Sequence, residues 1–533
     1  MLHSQNRQVR TQNIYQVRYY TLFILLSFTL ISFLLVSCKN EKINPNINLT
    51  LDKFSDWKAD SLSLNSRKIK AYIYTICKAD RDSTEMDFRT RSYYLNRGKF
   101  FWIDRKGVDG RADSLLTVLN KVNEMGFTRK SFYTKQIKSD LEILRNLDFQ
   151  DTASNINLVM ARLEYYLTKA YFRYVRGQNY GFVNPDYIFN QHDPLNLDTL
   201  GNPIGYRRLF DVTMKHSSKK FYETAIRKVA HDSICEFLNE VQPRDSLYQK
   251  FMSMLKNDNL SHEERLRILC NMERRRWRVK QHPEGKYVLV NIPSFKLRAV
   301  DQDQMIEMSI GCGKNDTKTP LLTSSIMRMD LNPKWNVPMS IIKNEIARNH
   351  AGDVTYFERN KMYIVYKKTG DRLNPARVTA SMLMSGELRV IQEGGEGNSL
   401  GRIIFRFPNK FSVFLHDTSN RDFFENSNRG VSHGCVRVER PLDLAVFLLE
   451  DRDSFLVDKL RLSMDIPPHT SQGVRMLNSG NKRPVGSLNV KPSVPLFITY
   501  YTMYPDQNGN IINYPDVYGY DKILVSNIKP FLK

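Results

Sequence analysis

The chain has 533 residues, a formal net charge of +23, 41% hydrophobic residues and 25% charged residues. This length is sufficient for two or three domains, and the hydrophobic content excludes a disordered or low-complexity protein. A basic charge balance indicates an anionic partner, or lysines and arginines that are spread over solvated faces.

Residues 1–38 have the pattern of an export signal. Three arginines precede an uncharged run, YYTLFILLSFTLISFLLVSC, and charge returns directly after Cys38. The end of the run resembles a bacterial lipobox, in which the cysteine is acylated and becomes the mature N-terminus. An uncleaved membrane anchor is the alternative, because about 18 apolar residues can span a bilayer. Either interpretation predicts a bacterial envelope protein; the first predicts a periplasmic lipoprotein anchored by its N-terminal lipid, in the outer membrane.

An exported location changes the interpretation of the positive charge. The charge without the three signal arginines is 23 − 3 = +20, because no acidic residue precedes Cys38. Exported proteins meet carboxylate-rich wall peptides and phosphorylated lipids, so we expect no nucleic-acid partner.

Cysteine usage bears on both disulfides and metal sites. Five cysteines follow the lipobox: Cys77, Cys235, Cys270, Cys312 and Cys435. In an oxidising compartment an odd number leaves at least one thiol unpaired. No CxxC spacing is present, so a structural zinc site is not expected.

The N-terminal half predicts a helical scaffold. Residues 39–62 are polar and are interpreted as a tether, and residues 63–270 show helical apolar spacing. One stripe consists of Leu115, Leu116, Leu119, Val122 and Met125. A second consists of Ile156, Val159, Leu163, Leu167, Ala170 and Tyr174. Both are interpreted as helix-packing surfaces rather than ligand sites.

Residues 271–533 predict a mostly β domain. Short β-branched runs begin near residue 286, and a charged stretch at about 340–392 that we predict to be helical interrupts them. The strands resume at GRIIFRFPNKFSVFLHD, and a helix is predicted to open at Pro441. A closing hairpin is predicted with Asn508-Gly509 near its tip.

The segment HDTSNRDFFENSNRGVSHGCVRVERP, residues 416–441, carries the candidate chemistry. His416 ends an apolar strand, where a rigid element can hold a base, and Cys435 follows Gly434, where the backbone can turn sharply. Three interpretations stay open on the residues alone. The pair is catalytic, the cysteine is buried filler, or the two histidines and the cysteine bind zinc together with Asp417.

The spacing from HDT to SHGCVR resembles the active-site signature of L,D-transpeptidases of the YkuD type. Further segments resemble the large YcbB-like subgroup of that family: NMERRRW, YVLVNIP, Thr319-Pro320, LNPKWNVP, NSLGRIIFRFPN and VYGYD. The resemblance implies an α+β fold with a helical scaffold, a mostly β catalytic domain and a helical capping insertion. The small peptidoglycan-binding domain often inserted in that subgroup has no counterpart here.

The resemblance implies a reaction on peptidoglycan stem peptides without a cofactor or metal. The thiolate of Cys435 would attack the third residue of a tetrapeptide stem and release D-Ala. The thioester would then pass to a side-chain amine of a neighbouring stem and form a 3-3 cross-link. Two alternatives stay open: hydrolysis by an L,D-carboxypeptidase or endopeptidase, and a non-catalytic lipoprotein that binds wall peptides.

The resemblance also implies roles for individual residues. His416 would be the base, oriented by the backbone carbonyl of Asp417, while backbone N–H groups of His433, Gly434 and Cys435 would bind the oxyanion. The side chain of His433 would form part of the pocket wall.

Four further residues are implied as substrate contacts: Arg437, Trp335, Asn336 and Phe414. Arg437 would either bind a substrate carboxylate or brace its loop. The two aromatic residues would line the donor groove, with a place in the core as the alternative.

Overall fold

The structure, a computed structural model, describes residues 64–104, 107–149, 155–480 and 482–532. The predicted signal with its lipidation site Cys38 and the predicted tether at 39–62 lie outside the described residues, so both stay predictions. Within those four ranges no helix has the length and apolar character needed to cross a membrane.

The described chain divides into two compact units. The first comprises the described residues up to Asn179, Ser217–Pro243 and the end of the chain from Phe531, and the second comprises Tyr180–His216 and Arg244–Pro530. The chain therefore passes between the units at four points, whereas the sequence analysis placed a single domain boundary after residue 270.

Helices dominate the N-terminal half, as predicted. They are α1 (Ser66–Ala79), α2 (Glu85–Leu95), α3 (Gly110–Asn120), α4 (Thr134–Asn146), α5 (Ile156–Tyr180), α6 (Pro185–Phe189), α7 (Lys219–Ala230), α8 (Ile234–Glu240), α9 (Ser246–Met254) and α10 (His262–Arg276). The apolar stripe predicted on residues 156–174 lies on α5 and is fully buried, which confirms that it is a packing surface.

Helix α5 also buries polar side chains that hold its neighbours in the first unit. The carboxylate of Glu164 accepts hydrogen bonds from the backbone N–H groups of Phe101 (2.9 Å), Trp102 (3.0 Å) and Ile103 (3.1 Å). The hydroxyl of Tyr94 donates a fourth bond, at 2.8 Å. These four donors satisfy a carboxylate that would be costly to bury alone. Burial nevertheless raises the pKa of Glu164 to about 7.

Helix α10 contains residues 271–276 of the NMERRRW segment. Like α5, it buries polar side chains that hold neighbouring segments, here in the second unit. Glu273 accepts hydrogen bonds from the N–H groups of Phe182 (2.6 Å) and Val183 (3.1 Å). Arg274 forms an ion pair with Asp521 at 2.5 Å. This helix therefore joins segments that are distant in sequence, and its polar residues have structural partners.

The strands extend from the first unit to the C-terminal region. They are β1 (Ile103–Asp104), β2 (Gly107–Val108), β3 (Asp193–Leu197), β4 (Pro203–Arg207), β5 (Phe210–Asp211), β6 (Met214–Lys215), β7 (Arg278–Val279), β8 (Tyr287–Asn291), β9 (Lys296–Asp301), β10 (Gln304–Gly313), β11 (Leu321–Leu331), β12 (Trp335–Asn336), β13 (Met362–Tyr366), β14 (Arg372–Leu373), β15 (Leu388–Gln392), β16 (Ile403–Arg406), β17 (Leu415–His416), β18 (Gly430–Ser432), β19 (Val436–Val438), β20 (Ser487–Thr499), β21 (Met503–Pro505) and β22 (Ile511–Asn513).

The main sheet has ten strands in the order β16-β17-β19-β10-β9-β8-β20-β11-β5, with β18 beside β10. Strand β16 also pairs with β11, so the sheet closes on itself. Strand β5 joins β11, and β6 pairs with β7. These pairings explain why residues 180–216 belong to the second unit, although their sequence lies among the predicted scaffold helices.

The predicted capping insertion contains the expected helices: α11 (Met339–Ile341), a π-helical turn (Ile342–Ile346), α12 (Ala347–Asn349), α13 (Val354–Arg359) and α14 (Ala380–Met384). It also contains a four-stranded sheet in the order β12-β15-β13-β14, which the sequence analysis did not predict. Helices and sheet share an apolar core that includes Phe357, Ile364 and Val390.

The C-terminal region follows the prediction closely. Helix α15 (Pro441–Leu448) opens at Pro441, and α16 (Ser454–Ser463) and α17 (Ser471–Asn478) follow. Strands β21 and β22 form the predicted hairpin, with Gly509 at a positive φ of 81° in its turn. Helix α18 (Tyr520–Ile528) comes last. Together these elements confirm the α+β fold with a helical N-terminal region and a mostly β catalytic region.

We predict that Glu164→Ala destabilises the first unit by about 3 kcal/mol or more, because it leaves three buried backbone N–H groups without an acceptor. Urea unfolding followed by circular dichroism measures this change. Glu142→Ala is the matched control, since Glu142 is exposed and forms only a surface pair with Lys138. Equal effects of the two substitutions would contradict the assigned role of Glu164.

Candidate active site

Strand pairing brings the His416 and Cys435 segments together. His416 ends β17, which lies between β16 and β19 in the main sheet. In the parallel pair of β17 and β19, His416 is level with Arg437, two residues after Cys435. Neighbouring strands lie about 4.8 Å apart, so the two segments are adjacent although nineteen residues separate their key side chains.

The ring of His416 is held in one orientation. The side chain is only 4% exposed, and its Nδ1 lies 2.5 Å from the carbonyl oxygen of Asp417. A carbonyl can only accept, so Nδ1 carries the proton and Nε2 keeps a free lone pair. Burial first, and then the charge of Arg437, lower the pKa of His416 to about 4. The imidazole is therefore neutral at neutral pH and able to accept a proton.

The carboxylate of Asp417 faces away from this bond. It accepts hydrogen bonds from the backbone N–H of Arg402 at 2.8 Å and from the Arg421 guanidinium at 3.3 Å. A Cβ at Gly401 would lie 2.5 Å from the Asp417 side chain, so the neighbouring turn requires glycine. Asp417 thus fixes the 400–402 turn with its side chain and His416 with its carbonyl.

Hydrogen bonds within the Ser432–Cys435 loop shape the turn before the thiol. The Ser432 hydroxyl donates to the Cys435 carbonyl at 2.6 Å and accepts the Gly434 N–H at 3.1 Å. Gly434 has a φ of 118°, which a residue with a Cβ adopts only with strain. The turn therefore depends on Gly434 and on the Ser432 hydroxyl.

Thr319 connects this loop to the sheet. Its side chain is fully buried, donates to the Gly434 carbonyl at 2.9 Å and accepts the Gly313 N–H at 2.9 Å. Its backbone N–H donates to the Tyr518 hydroxyl at 3.1 Å, and that hydroxyl donates to the Gly313 carbonyl at 2.7 Å. The sequence analysis assigned no role to Thr319, Ser432 or Tyr518. Their presence in the family-like segments was the only signal that could have identified them.

The structure corrects one predicted oxyanion contact. The Gly434 N–H already donates to Ser432, so it is not free to stabilise an oxyanion as predicted. Among the described residues, the backbone N–H groups of His433 and Cys435 have no acceptor. These two amides are therefore the available donors.

The thiol of Cys435 is protonated at rest. All five cysteines among the described residues are free, and Cys435 is partly exposed. Burial raises the pKa of Cys435 to about 11, against the opposing effects of a backbone hydrogen bond at Phe414 and the charge of Arg437. Together with the neutral His416, this gives a neutral thiol and a neutral base rather than a resting ion pair.

Arg437 and Phe414 lie close to this pair. The Arg437 guanidinium lies 5.4 Å from the Phe423 ring centre, and its Nε is buried without a hydrogen-bond partner. No carboxylate forms an ion pair with Arg437 within the described residues. Burial lowers the pKa of Arg437. The Phe414 ring meets the His416 ring edge-on, with centres 5.8 Å apart.

Trp335, Asn336 and the side chain of His433 are the remaining predicted site residues. Trp335 and Asn336 form β12, and in the described part of the chain neither makes a hydrogen bond or ring contact with Cys435 or His416. Trp335 packs against the core of the insertion, in line with the alternative that it is a core residue. The exposed His433 places Nε2 3.0 Å from the Glu345 carboxylate of the insertion.

The described residues contain no group of three or more histidine, cysteine or acidic side chains arranged to hold a metal ion.

Two family models match the chain. The L,D-transpeptidase catalytic domain model covers residues 285–457, which include His416 and Cys435. Residues 285–457 are therefore similar to an L,D-transpeptidase catalytic domain. A scaffold-domain model covers residues 89–255, so the helical region has the counterpart that the sequence analysis expected. The family that the catalytic domain model describes is one of transferase-type enzymes.

The chain is similar to a Haemophilus influenzae protein named "Putative L,D-transpeptidase", with 28% identity over 303 residues. The match covers 55% of this chain, and the chain spans 56% of that relative's length. An L,D-transpeptidase structure from Mycobacterium smegmatis has 11% identity and a TM-score of 0.19, covering 40% of this chain and 58% of the other. An LD transpeptidase in complex with imipenem has 10% identity and a TM-score of 0.17, with coverages of 40% and 59%.

We predict that Thr319→Val lowers stability by about 1 to 3 kcal/mol, because it leaves the Gly434 carbonyl and the Gly313 N–H unpaired in the interior. Thr319→Ser should keep both bonds and stay close to the parent. Chemical unfolding measures stability, and the alkylation rate of Cys435 reports the loop. A valine variant as stable and reactive as the serine variant would contradict the role of the hydroxyl.

We predict that alkylation of Cys435 by iodoacetamide rises about tenfold per pH unit from pH 7 to 9.5 without a plateau, because only the thiolate reacts and the pKa is about 11. Arg437→Gln should slow the reaction further, since the arginine charge lowers this pKa. Mass spectrometry of the Cys435 peptide gives the rate. A plateau near pH 7 would instead indicate a resting thiolate–imidazolium pair.

Proposed function

We propose that the protein is a peptidoglycan L,D-transpeptidase in which Cys435 is the nucleophile and His416 the base. The observation that carries the proposal is the His416 ring, whose Nδ1–H is committed to the Asp417 carbonyl beside the Cys435 loop. This arrangement lies inside the segment that matches the L,D-transpeptidase catalytic domain.

The neutral resting pair favours general-base catalysis. The pKa of His416 is about 4 and that of Cys435 about 11, so proton transfer before attack is strongly unfavourable. The thiol proton moves to His416 Nε2 as sulfur bonds to the carbonyl carbon of the third stem residue. In this proposal the N–H groups of His433 and Cys435, which have no acceptor among the described residues, bind the oxyanion.

The remaining reaction has two stages, release of D-Ala and transfer of the acyl group. The bond to the terminal D-Ala nitrogen breaks, His416 returns its proton to that nitrogen, and a thioester remains on Cys435. A side-chain amine of a second stem attacks the thioester and loses a proton to His416, and the Cys435 thiolate leaves and recovers that proton. The product is a 3-3 cross-link. Arg437 stabilises the thiolate in both stages.

The envelope location is part of this proposal. An enzyme of the wall needs to be exported, and the lipobox-like end of the signal at Cys38 would attach it to a membrane by a lipid. A lipid anchor would keep the catalytic domain near the wall without a separate wall-binding domain.

The test incubates the purified chain from residue 39 with a disaccharide-tetrapeptide and identifies products by mass. We expect a cross-linked dimer and free D-Ala. Cys435→Ala should form neither, and His416→Gln should reduce turnover by at least about 100-fold. Cys235→Ala, which removes another partly exposed free thiol, is the matched control and should keep full activity.

The products also separate the alternatives. Tripeptide and D-Ala without dimer would establish hydrolysis instead of transfer. Binding without any product, with Cys435 intact, would establish a wall-binding lipoprotein and refute the enzymatic proposal. Covalent labelling by a carbapenem in the parent, absent in Cys435→Ala, would support the nucleophile independently.

A further inference from the structure

A cleft of about 700 Å³ lies beside the Ser432–Cys435 loop, which we call the catalytic loop, and wholly within the second unit. His433 and Gly434, the two residues before Cys435, form part of its wall. Residues 207–211, which run from the last residue of β4 through β5, form another part. Its volume falls within the range of about 300 to 1,000 Å³ typical of ligand sites. The cleft is thus large enough for a short peptide and borders the loop that carries Cys435.

The cleft is rich in positive charge, but most of that charge is already paired. Its wall has four cationic side chains, Arg207, Arg208, Lys318 and Lys410, and two acidic ones, Asp186 and Asp211. Lys318 is buried and lies 2.7 Å from Asp193, and Lys410 lies 3.3 Å from Asp211.

The two arginines differ in how strongly they are held. The Arg207 guanidinium lies 3.6 Å from Asp193 and donates to the Asp316 carbonyl at 2.5 Å. Arg208 is exposed and, among the described residues, has neither an ion-pair partner nor a hydrogen-bond acceptor. Arg208 is therefore the cation of this wall that can bind a ligand without first losing a partner.

We propose that this cleft binds a free carboxylate of a wall stem peptide and that Arg208 makes the contact. The proposal rests on the proposed function, because it takes the stem peptide as the substrate. A planar guanidinium can bind both oxygens of a carboxylate, which gives direction as well as attraction. Arg208 is then a residue that selects stems by the carboxylate near the reacting group.

Two stems meet at the thiol, the acyl donor and the amine acceptor, and both carry carboxylates. The experiment separates them by using a tetrapeptide whose third-residue side-chain amine is acetylated, which can only donate, and a tripeptide, which can only accept. The concentration of each is varied in turn. Each peptide is also prepared with the carboxylate of its third-residue side chain amidated.

The variants are Arg208→Gln, Arg208→Lys and the matched control Arg244→Gln. Arg244 is exposed and lies outside the residues that line the cleft. We expect Arg208→Gln to raise KM for one of the two stems by about tenfold, with kcat within about twofold, because the charged hydrogen bonds from the guanidinium to the carboxylate are lost. Arg208→Lys should recover part of the loss, and Arg244→Gln should match the parent.

The amidated peptides test direct contact. Amidation of the same stem should raise KM in the parent by about the same factor and have no further effect in Arg208→Gln. A raised KM for the tetrapeptide assigns the cleft to the donor, and one for the tripeptide assigns it to the acceptor.

An unchanged KM for both stems, or an amidation effect that persists in Arg208→Gln, would overturn the proposal. If the parent forms no product, the proposed function has failed. Calorimetric titration of the tripeptide into parent and Arg208→Gln protein then still tests the cleft, since equal affinities would reject it.

Discussion

The hydrogen bond from His416 to the Asp417 carbonyl is the constraint on which the proposed chemistry depends. It places the proton on Nδ1 and leaves the lone pair on Nε2, the nitrogen that accepts the thiol proton in the proposed mechanism. Arg437 complements it, because one positive charge lowers the pKa of both His416 and Cys435. The cation therefore favours the thiolate while keeping the base unprotonated. In the proposed mechanism, thiolate formation is thereby tied to attack on a substrate.

The conformation of the catalytic loop is held by hydrogen bonds that its polar groups form with one another and with Thr319. The Ser432 hydroxyl accepts the Gly434 N–H, and the Thr319 hydroxyl donates to the Gly434 carbonyl. The two peptide units on either side of the Gly434 Cα therefore cannot rotate freely. Only the neighbouring amides at His433 and Cys435 are left without acceptors. Fixed donors of this kind need no reorganisation when negative charge develops, which is the source of their catalytic value.

Local patterns in the sequence predicted what depends on local structure. The strand ending at His416, the helix at Pro441 and the hairpin at Gly509 all follow from adjacent residues. Contacts across long separations left no such signal. Tyr518 reaches Gly313 across 205 residues, and the sheet of the insertion is formed by strands too short to show a clear alternation. The prediction that the Gly434 N–H binds the oxyanion was wrong for a similar reason. Whether that N–H is free depends on the rotamer of the Ser432 side chain.

The catalytic loop and the insertion differ in how firmly they are held. The loop is bound to the sheet by buried hydrogen bonds such as that of Thr319, and losing such a bond leaves polar groups unpaired in the interior. The insertion meets the loop through His433 and Glu345, whose side chains are 43% and 52% exposed. An exposed pair contributes about 0 to 1 kcal/mol. This contact can therefore break at little cost while the thiol and its oxyanion donors keep their positions. Under the proposed function, Cys435 stays fixed and the insertion is the part that can yield to an incoming stem.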